Sequence, residues 1–275
     1  MGDDQEFFSK AKAEFASGID RSVPHSARIW NYWLGGKDNF PVDRVGGDKY
    51  AEIFPGITDI ARLTRYFLKR SVGFLAGEAR VRQFLDVGTG LPTVDNTHEV
   101  AQRVAPASRI VYIDNDPMVL VHAHALLTST PEGATDYVEA DMRDPAAILA
   151  GAARTLDLDE PVGLTFMGVL GHIVDDQTAV EIVSRLMAAL PSGSFLAIAD
   201  GATHISSEFA AAQRDYDEGG SVPYKLRDRE QVRDLFAGYP LLEPGLVPCL
   251  EWRPETTLTA DAPQIQPLAG IAHKE

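Results

Sequence analysis

The sequence is poor in cysteine. Cys249 is the only one in 275 residues, which excludes an internal disulfide framework and a cysteine-based zinc cluster. No run of about 18 apolar residues occurs, the length a membrane helix needs, so no membrane partner is expected. The N-terminus, MGDDQEFFSKAKAEF, is acidic and amphipathic, unlike a secretory signal. A reducing cytoplasm is the expected location. Basic charge is short as well: 25 Lys and Arg stand against 40 Asp and Glu, a net charge of −15. Such a surface repels phosphate backbones and anionic membranes. The densest basic stretches, RLTRYFLKR (62–70) and KLRDREQVR (225–233), are broken by apolar or acidic residues and read as solvated helix faces. Nucleic acid is therefore not an expected substrate. His122 and His124, at spacing two, point apart on a helix, and no catalytic metal is expected.

What is present is enough apolar material, 45% of the chain, for a full core. Residues 1–80 read as a helical N-terminal cap or lid. DDQEFFSKAKAEFASG carries helical apolar spacing and closes on Gly18. PHSARIWNYWLGG begins with proline and stops at Gly35-Gly36, and TDIARLTRYFLKRSVGFLAG has a cap-like Thr58 and an apolar stripe through Ile60, Leu63, Phe67 and Leu68. From residue 81 to 275 the rhythm changes. The short apolar runs VRQFLDV, RIVYID, TDYVEAD, PVGLTFMGV and SGSFLAIAD alternate with helical patterns, the signature of βαβ units in a doubly wound, mostly parallel sheet of an α/β protein. The tail adds helices in ISSEFAAAQRDYDEG and RDREQVRDLFAG. Strand-like pieces follow near LEPGLVPCLEW and LAGIAHK, the first of them irregular because of its prolines.

FLDVGTGLPT, residues 84–93, ends the first of these strands in a glycine turn that brings backbone N–H groups close to a ligand. Any tight strand-to-helix turn favours glycine, so the pair alone is not decisive. The third glycine of the dinucleotide pattern G-x-G-x-x-G is missing: Thr93 stands there, behind Pro92. A pyrophosphate needs that close approach, which counts against NAD. Asp114, 24 positions after Gly90, ends the second strand and suits the two ribose hydroxyls of an adenosine. Asp141 and Met142 follow the third strand, and Asp86 ends the first. Three consecutive strands thus carry carboxylates to one rim, although aspartate also follows strands simply as a cap.

These residues resemble the class I S-adenosylmethionine (SAM)-dependent methyltransferases: FLDVGTG their first motif, IVYIDND their acidic ribose motif, EADMRDP their adenine loop. PHSARIWNYWLGGKDNFPVDR, DVGTGLPT and GLVPCLEWRP further resemble an actinobacterial family of candidate methyltransferases once catalogued only as a domain of unknown function. The resemblance covers most of the chain. It implies a Rossmann-like fold with a seven-stranded sheet, SAM as cofactor and S-adenosylhomocysteine (SAH) as product. It implies further that Gly88, Thr89 and Gly90 face the methionine part and that Asp114 takes the ribose, with Asn115 beside it. Asp141 would accept from the adenine amino group and Met142 would pack on the ring. Asp86 would touch the ligand directly or through water, and Thr93 with Asn96 would reach the amino acid carboxylate. Pro92, in place of a third glycine two positions after Gly90, is the departure from the common motif.

The loop FMGVLGHIVDD lacks the Asn/Asp-Pro-Pro-Tyr motif of many enzymes that methylate amino groups of nucleic acids and proteins. A small-molecule oxygen or nitrogen is the expected acceptor. His172 in that loop is either a general base for a hydroxyl acceptor or a residue bonded to a backbone carbonyl. In HSARIWNYWLGGKDNF the apolar Trp30, Trp33 and Leu34 are expected to dock the segment. Arg28, Tyr32 and Asp38 are expected to close over the cofactor, Arg28 pairing with its carboxylate, on a joint at Gly35-Gly36. Thr203, His204, Tyr216, Tyr224 and Trp252 are candidates for the acceptor wall or for packing. The competing readings are a non-catalytic SAM/SAH-binding regulator, a nucleotide-dependent oxidoreductase, and an aminopropyl transferase with Asp95 at the methionine end.

Overall fold

The computed structural model describes residues 20–119, 122, 128–219, 222–254 and 262–275. The five apolar runs become parallel strands: β1 (Gln83–Val87), β2 (Arg109–Asp114), β3 (Ala134–Glu139), β4 (Val162–Met167) and β5 (Phe195–Asp200). β1 is buried along its whole length, as a strand covered on both faces must be. The tail supplies a two-residue β6 (Val247–Pro248) and β7 (Leu268–His273), and β7 runs antiparallel between β5 and β6. The sheet has seven strands in the order β3-β2-β1-β4-β5-β7-β6. This is the doubly wound, mostly parallel α/β sheet that the sequence indicates. Strand order reverses between β1 and β4, so a crevice opens beyond their carboxyl ends.

Three helices precede the sheet: α1 (Ser26–Trp33), α2 (Pro41–Ile53) and α3 (Ile57–Gly77). The stripe Ile60, Leu63, Phe67 and Leu68 is buried. Leu63, Phe67, Leu68 and Leu75 of α3 cover one face of the sheet, in one cluster with Phe84, Ile110 and Ala197. α4 (Thr97–Val104) lies beside α3 on that face. α5 (Pro145–Ala152) and α6 (Asp176–Ala188) cover the other. Ile57, Ile60 and Ala61, at the start of α3, belong instead to a third cluster with α1, α2 and α7 (Ser207–Glu218). The cap over the crevice is therefore built from both ends of the chain, and α3 joins it to the sheet. A short α8 (Arg229–Asp234) packs Val232 into the opposite core.

Local structure departs from the sequence reading at three places. Thr58 is inside α3, whose N-cap is Gly56, and its hydroxyl donates to the Pro55 carbonyl at 3.3 Å. PVDRVGGDKYAEI forms a helix, α2, despite two central glycines. The second of these serves packing: a Cβ on Gly47 would stand 2.8 Å from the Tyr32 ring, and the Trp33 indole N–H donates to the Gly47 carbonyl at 3.1 Å. The strand expected around LEPGLVPCLEW shrinks to Val247–Pro248 before a single 3-10 turn, Cys249–Glu251. The helix expected at 3–18, and most of the one at PMVLVHAHALLT with His124, lie outside the described residues.

A buried ion pair organises the cap. Asp43 has no exposed surface, and it accepts from the backbone N–H groups of His25 and Phe40 and from Arg28 Nε at 3.2 Å. Arg28 spends its remaining donors on the carbonyls of Asp20 and Val23. Removing one member of such a pair leaves an uncompensated buried charge, so Asp43→Ala should destabilise the protein by about 3–5 kcal/mol. Urea unfolding would measure this, and a loss below about 1 kcal/mol would mean that the pair does not hold the cap.

Candidate active site

The crevice at the carboxyl ends of β1 and β4 opens into one continuous cavity beneath the cap. Its floor is the glycine turn after β1. Gly88 and Gly90 have φ of +70° and +64°, the left-handed region that favours glycine. A Cβ on Gly88 would stand 2.2 Å from Val169 Cγ2, so the turn must pass close under the loop after β4. A Cβ on Gly90 would meet nothing within 4 Å, because it faces the open cavity. The Gly88 and Thr89 N–H groups donate to the Ile113 carbonyl, fastening the turn to β2. Thr89 and Thr93 line the cavity, and the Thr93 N–H is held by the Asn96 side chain at 3.0 Å.

Two carboxylates stand behind this turn. Asp86 is enclosed, and each of its oxygens receives a threonine hydroxyl, Thr97 at 2.6 Å and Thr165 at 2.8 Å. Burial pushes its pKa up against those hydrogen bonds and the positive charge of Arg65. Asp114, the last residue of β2, accepts from the Gly90 N–H at 2.8 Å and the Asp116 N–H at 2.9 Å. Burial raises its pKa too. A carboxylate has about four lone-pair sites, which leaves two of them for a ligand on the cavity side. Asn115 and Met142 line the same end.

Four expected contacts take another course. The Asp141 carboxylate turns back on its own loop, to the Arg143 backbone N–H at 2.8 Å and the Arg143 guanidinium. That Asx-type bond two residues ahead is local and easily formed, and Asp141 does not line the cavity. Arg28 is the inner partner of Asp43. Tyr32 donates its hydroxyl to Asp48 at 2.6 Å on the outer side of α2, and Asp38 sits 3.6 Å from His122. None of the three reaches the cavity, because α1 presents Trp30, Asn31 and Trp33 to it instead. Thr203, His204 and Trp252 also lie elsewhere, whereas Tyr216 and Tyr224 are walls of the cavity.

Arg65 is a cavity residue that the sequence reading missed. It projects from α3, and one guanidinium nitrogen holds the Val94 and Asp95 carbonyls at 3.2 Å. Its Nε is buried without a hydrogen-bond partner among the described residues. Burial pushes its pKa down, opposed first by the charge of Asp86. RLTRYFLKR reads as a surface stripe. Two of its arginines turn inward by their helical phase, Arg65 to the cavity and Arg70 to the Cys249 and Trp252 carbonyls.

His172 lines the cavity on the far side of the turn, in the 3-10 turn Leu170–His172 after β4. Its Nδ1 lies 3.1 Å from the Pro223 carbonyl. A carbonyl offers no proton, so Nδ1 carries the hydrogen and a neutral ring keeps its lone pair on Nε2. Burial pushes the pKa of this imidazole down. Of the two readings of His172, the bond to a backbone carbonyl is present, and it sets the tautomer that a general base would require.

The residues 222–228 strap this turn in place. Lys225 N–H donates to the Gly171 carbonyl at 2.8 Å, and the Tyr224 ring covers Gly171, where a Cβ would meet it at 2.2 Å. Arg227, fully buried, donates to the carbonyls of Leu170 and Ile173 on either side of the histidine and to Asp176.

A carboxylate under a glycine turn, a second carboxylate at the end of β2 and a cap over both suit an adenosine-bearing ligand. The profile of the family described as S-adenosyl methyltransferase matches residues 12–275. The chain belongs to that family. It is similar to a DUF574 family protein of known structure from Streptomyces avermitilis, with 44% identity and a TM-score of 0.88 over 93% of this chain and 99% of that one. It is also similar to a candidate methyltransferase from Thermobifida fusca, with 38% identity and a TM-score of 0.85 over 94% and 97% of the two chains. No curated protein matches it.

The cofactor of this methyltransferase family is SAM, and the residues present fit it: an open glycine cradle, a buried carboxylate with spare acceptor sites, and a guanidinium with an unused donor. No group of three or more metal-ligating side chains occurs among the described residues, and no helix among them is long and apolar enough to cross a membrane. The two glycines should respond differently to a methyl group. Gly90→Ala should carry only backbone strain of about 1–2 kcal/mol while its methyl enters the ligand's space. Gly88→Ala adds the collision with Val169 and should lose more stability. Thermal melts with SAH titrations would measure both, and equal destabilisation by the two variants would contradict this account of the turn.

Proposed function

We propose that this SAM-dependent methyltransferase methylates a small-molecule acceptor at oxygen or nitrogen, in the chamber between the glycine turn and the cap. The observation that carries the reading is the continuity of one cavity, from Gly88–Gly90 and Asp114 past His172 to apolar walls contributed by α1, α2 and α7. SAM supplies an activated methyl group and leaves as a neutral thioether. The chain's part is to hold both reactants in line and keep water out. Asp114 takes the ribose hydroxyls with Asn115 beside it, and Met142 covers the adenine. Gly88, Thr89, Gly90 and Thr93 line the methionine end, with Asp86 bracing the turn from behind. Arg65, in place of Arg28, answers the amino acid carboxylate through its spare donor. Asp95 is occupied by Lys69 and Arg103 and stays outside the cavity lining, which argues against an aminopropyl donor.

Calorimetric titration of the nucleotide-stripped protein should give micromolar binding of SAM and SAH and none of NAD. Binding of NAD alone would overturn the reading. Asp114→Ala should cost about 1–3 kcal/mol of SAM affinity, since it leaves ribose hydroxyls without a charged partner. Arg65→Met should cost about 1.5–3 kcal/mol for SAM, yet leave adenosine, which has no carboxylate, bound as before. Equal losses for SAM and adenosine would remove Arg65 from the carboxylate.

A further inference from the structure

On the strength of that reading, we propose that the methyl acceptor is a neutral phenol-class aromatic, stacked in the chamber under the cap with its hydroxyl at His172 Nε2. The chamber's walls are flat. Trp30, Trp33, Tyr50, Phe209, Tyr216 and Tyr224 face it, from four separate segments of the chain. Such surfaces receive an aromatic ring by stacked or edge contacts.

The polar atoms of those walls are largely committed to one another. The Trp33 indole N–H donates to the Gly47 carbonyl, and the Tyr50 hydroxyl donates to Gln213 Oε1 at 2.9 Å. Gln213 Nε2 in turn donates to Asp217 at 2.8 Å. Asp200, at the end of β5, accepts from the Tyr224 hydroxyl and from the N–H groups of Gly171 and Gly201. A carboxylate or ammonium acceptor would lose its hydration against these walls, where the nearest cation, Arg143, is already paired with Asp141, a costly exchange. A neutral ring loses nothing.

His172 Nε2 differs from these atoms. It has no partner among the described residues, while Nδ1–H is fixed on Pro223. It therefore asks the acceptor for one hydrogen-bond donor. A phenolic hydroxyl donates that bond while neutral, and with a pKa near 10 it gives up its proton more readily than an alcohol. As an oxygen lone pair forms the bond to the methyl carbon, the S–CH3 bond breaks and its electron pair stays on sulfur. Nε2 takes the hydroxyl proton and passes it to water. Arg227 and Lys225 are positioning residues, since they grip the backbone on both sides of the imidazole.

The test uses the full-length protein and two readouts. Calorimetry of the SAH-loaded protein would compare phenol, 2-naphthol and 4-phenylphenol with the matching carboxylates and aminomethyl compounds. The phenols should bind, and the charged analogues should bind at least about tenfold more weakly. Trp30→Leu should weaken 2-naphthol by about tenfold and leave SAH unaffected. With SAM, mass spectrometry should find the methyl ether. His172→Asn keeps a donor for the Pro223 carbonyl but removes the base. It should retain 2-naphthol and SAH binding and lower kcat by about 10²–10⁴-fold. It should also abolish an acid limb that the wild type shows below the ordinary imidazole value of about 6.5. The charged groups around His172 are Arg143, His25 and Asp217, with Tyr224 against its ring, and none of them is altered in that variant. Failure of SAH to bind would remove the cofactor reading and this proposal with it. SAH binding with selection for carboxylates or amines, or unchanged kcat in His172→Asn, would overturn the phenol proposal alone.

Discussion

Asp86 lies in the middle of the sheet, almost wholly buried at the cavity floor, and its charge has to be answered from inside the protein. The answers come from three other elements. β1 carries the carboxylate, α4 supplies the Thr97 hydroxyl, β4 supplies Thr165, and the field of Arg65 on α3 favours the ionised form. Leaving that charge unpaired would be far costlier than any single packing defect, so these elements meet in one arrangement. The glycine turn spans Val87 to the start of α4, with both ends pinned by this contact. The cavity floor is rigid for the same reason.

The roof is held by different means. The Arg28–Asp43 pair draws the segment before α1 onto α2, and the edge-to-face rings of Trp33, Tyr50 and Tyr216 bind both helices to α7. Floor and roof share α3 as a common wall, and they also meet where His25 pairs with Asp116 and where Ala27 and Phe40 pack on Leu91 and Met118. The strap at 222–228 completes the far side by tying the loop after β4 to the segment before α8. Charges are thus buried at the edges of the chamber, where backbone groups satisfy them, and its interior is left to aromatic carbon. That division of chemistry gives the cavity two unlike halves, a polar one at the glycine turn and an apolar one under the cap.

Much of the fold was legible because strand burial leaves a coarse mark. VRQFLDV, RIVYID, PVGLTFMGV and SGSFLAIAD hold dense apolar stretches and TDYVEAD a shorter one, and each contributes a parallel strand. GTG and the end of IVYID were legible for a related reason: positive φ at Gly88 and Gly90 demands glycine, and Asp114 ends β2 at the cavity. α2 was not legible, because Gly46 and Gly47 weaken its local propensity and tertiary contacts compensate, with Tyr32, Trp33 and Arg28 of α1 and with α7 through Tyr50. Asp141 was misread because a carboxylate beside a turn has two nearby choices, a ligand or its own backbone. Sequence spacing does not distinguish them.

The two arginines mark the division most clearly. By itself the sequence determined the alternation of strands and helices, the family, the cofactor and the strand ends that line the cavity, since these follow from local patterns of apolar residues, glycine and aspartate. Only the tertiary structure decided that Arg28 turns into the cap and Arg65 into the cavity. Both are basic residues on amphipathic helices, and which one meets a ligand depends on the rotation of each helix against partners distant in the chain. Asp43 lies 15 residues from Arg28, whereas the loop that receives Arg65 lies 29 to 31 residues beyond it. Helix periodicity says which side chains share a face, but the packing of that face is a property of the assembled core.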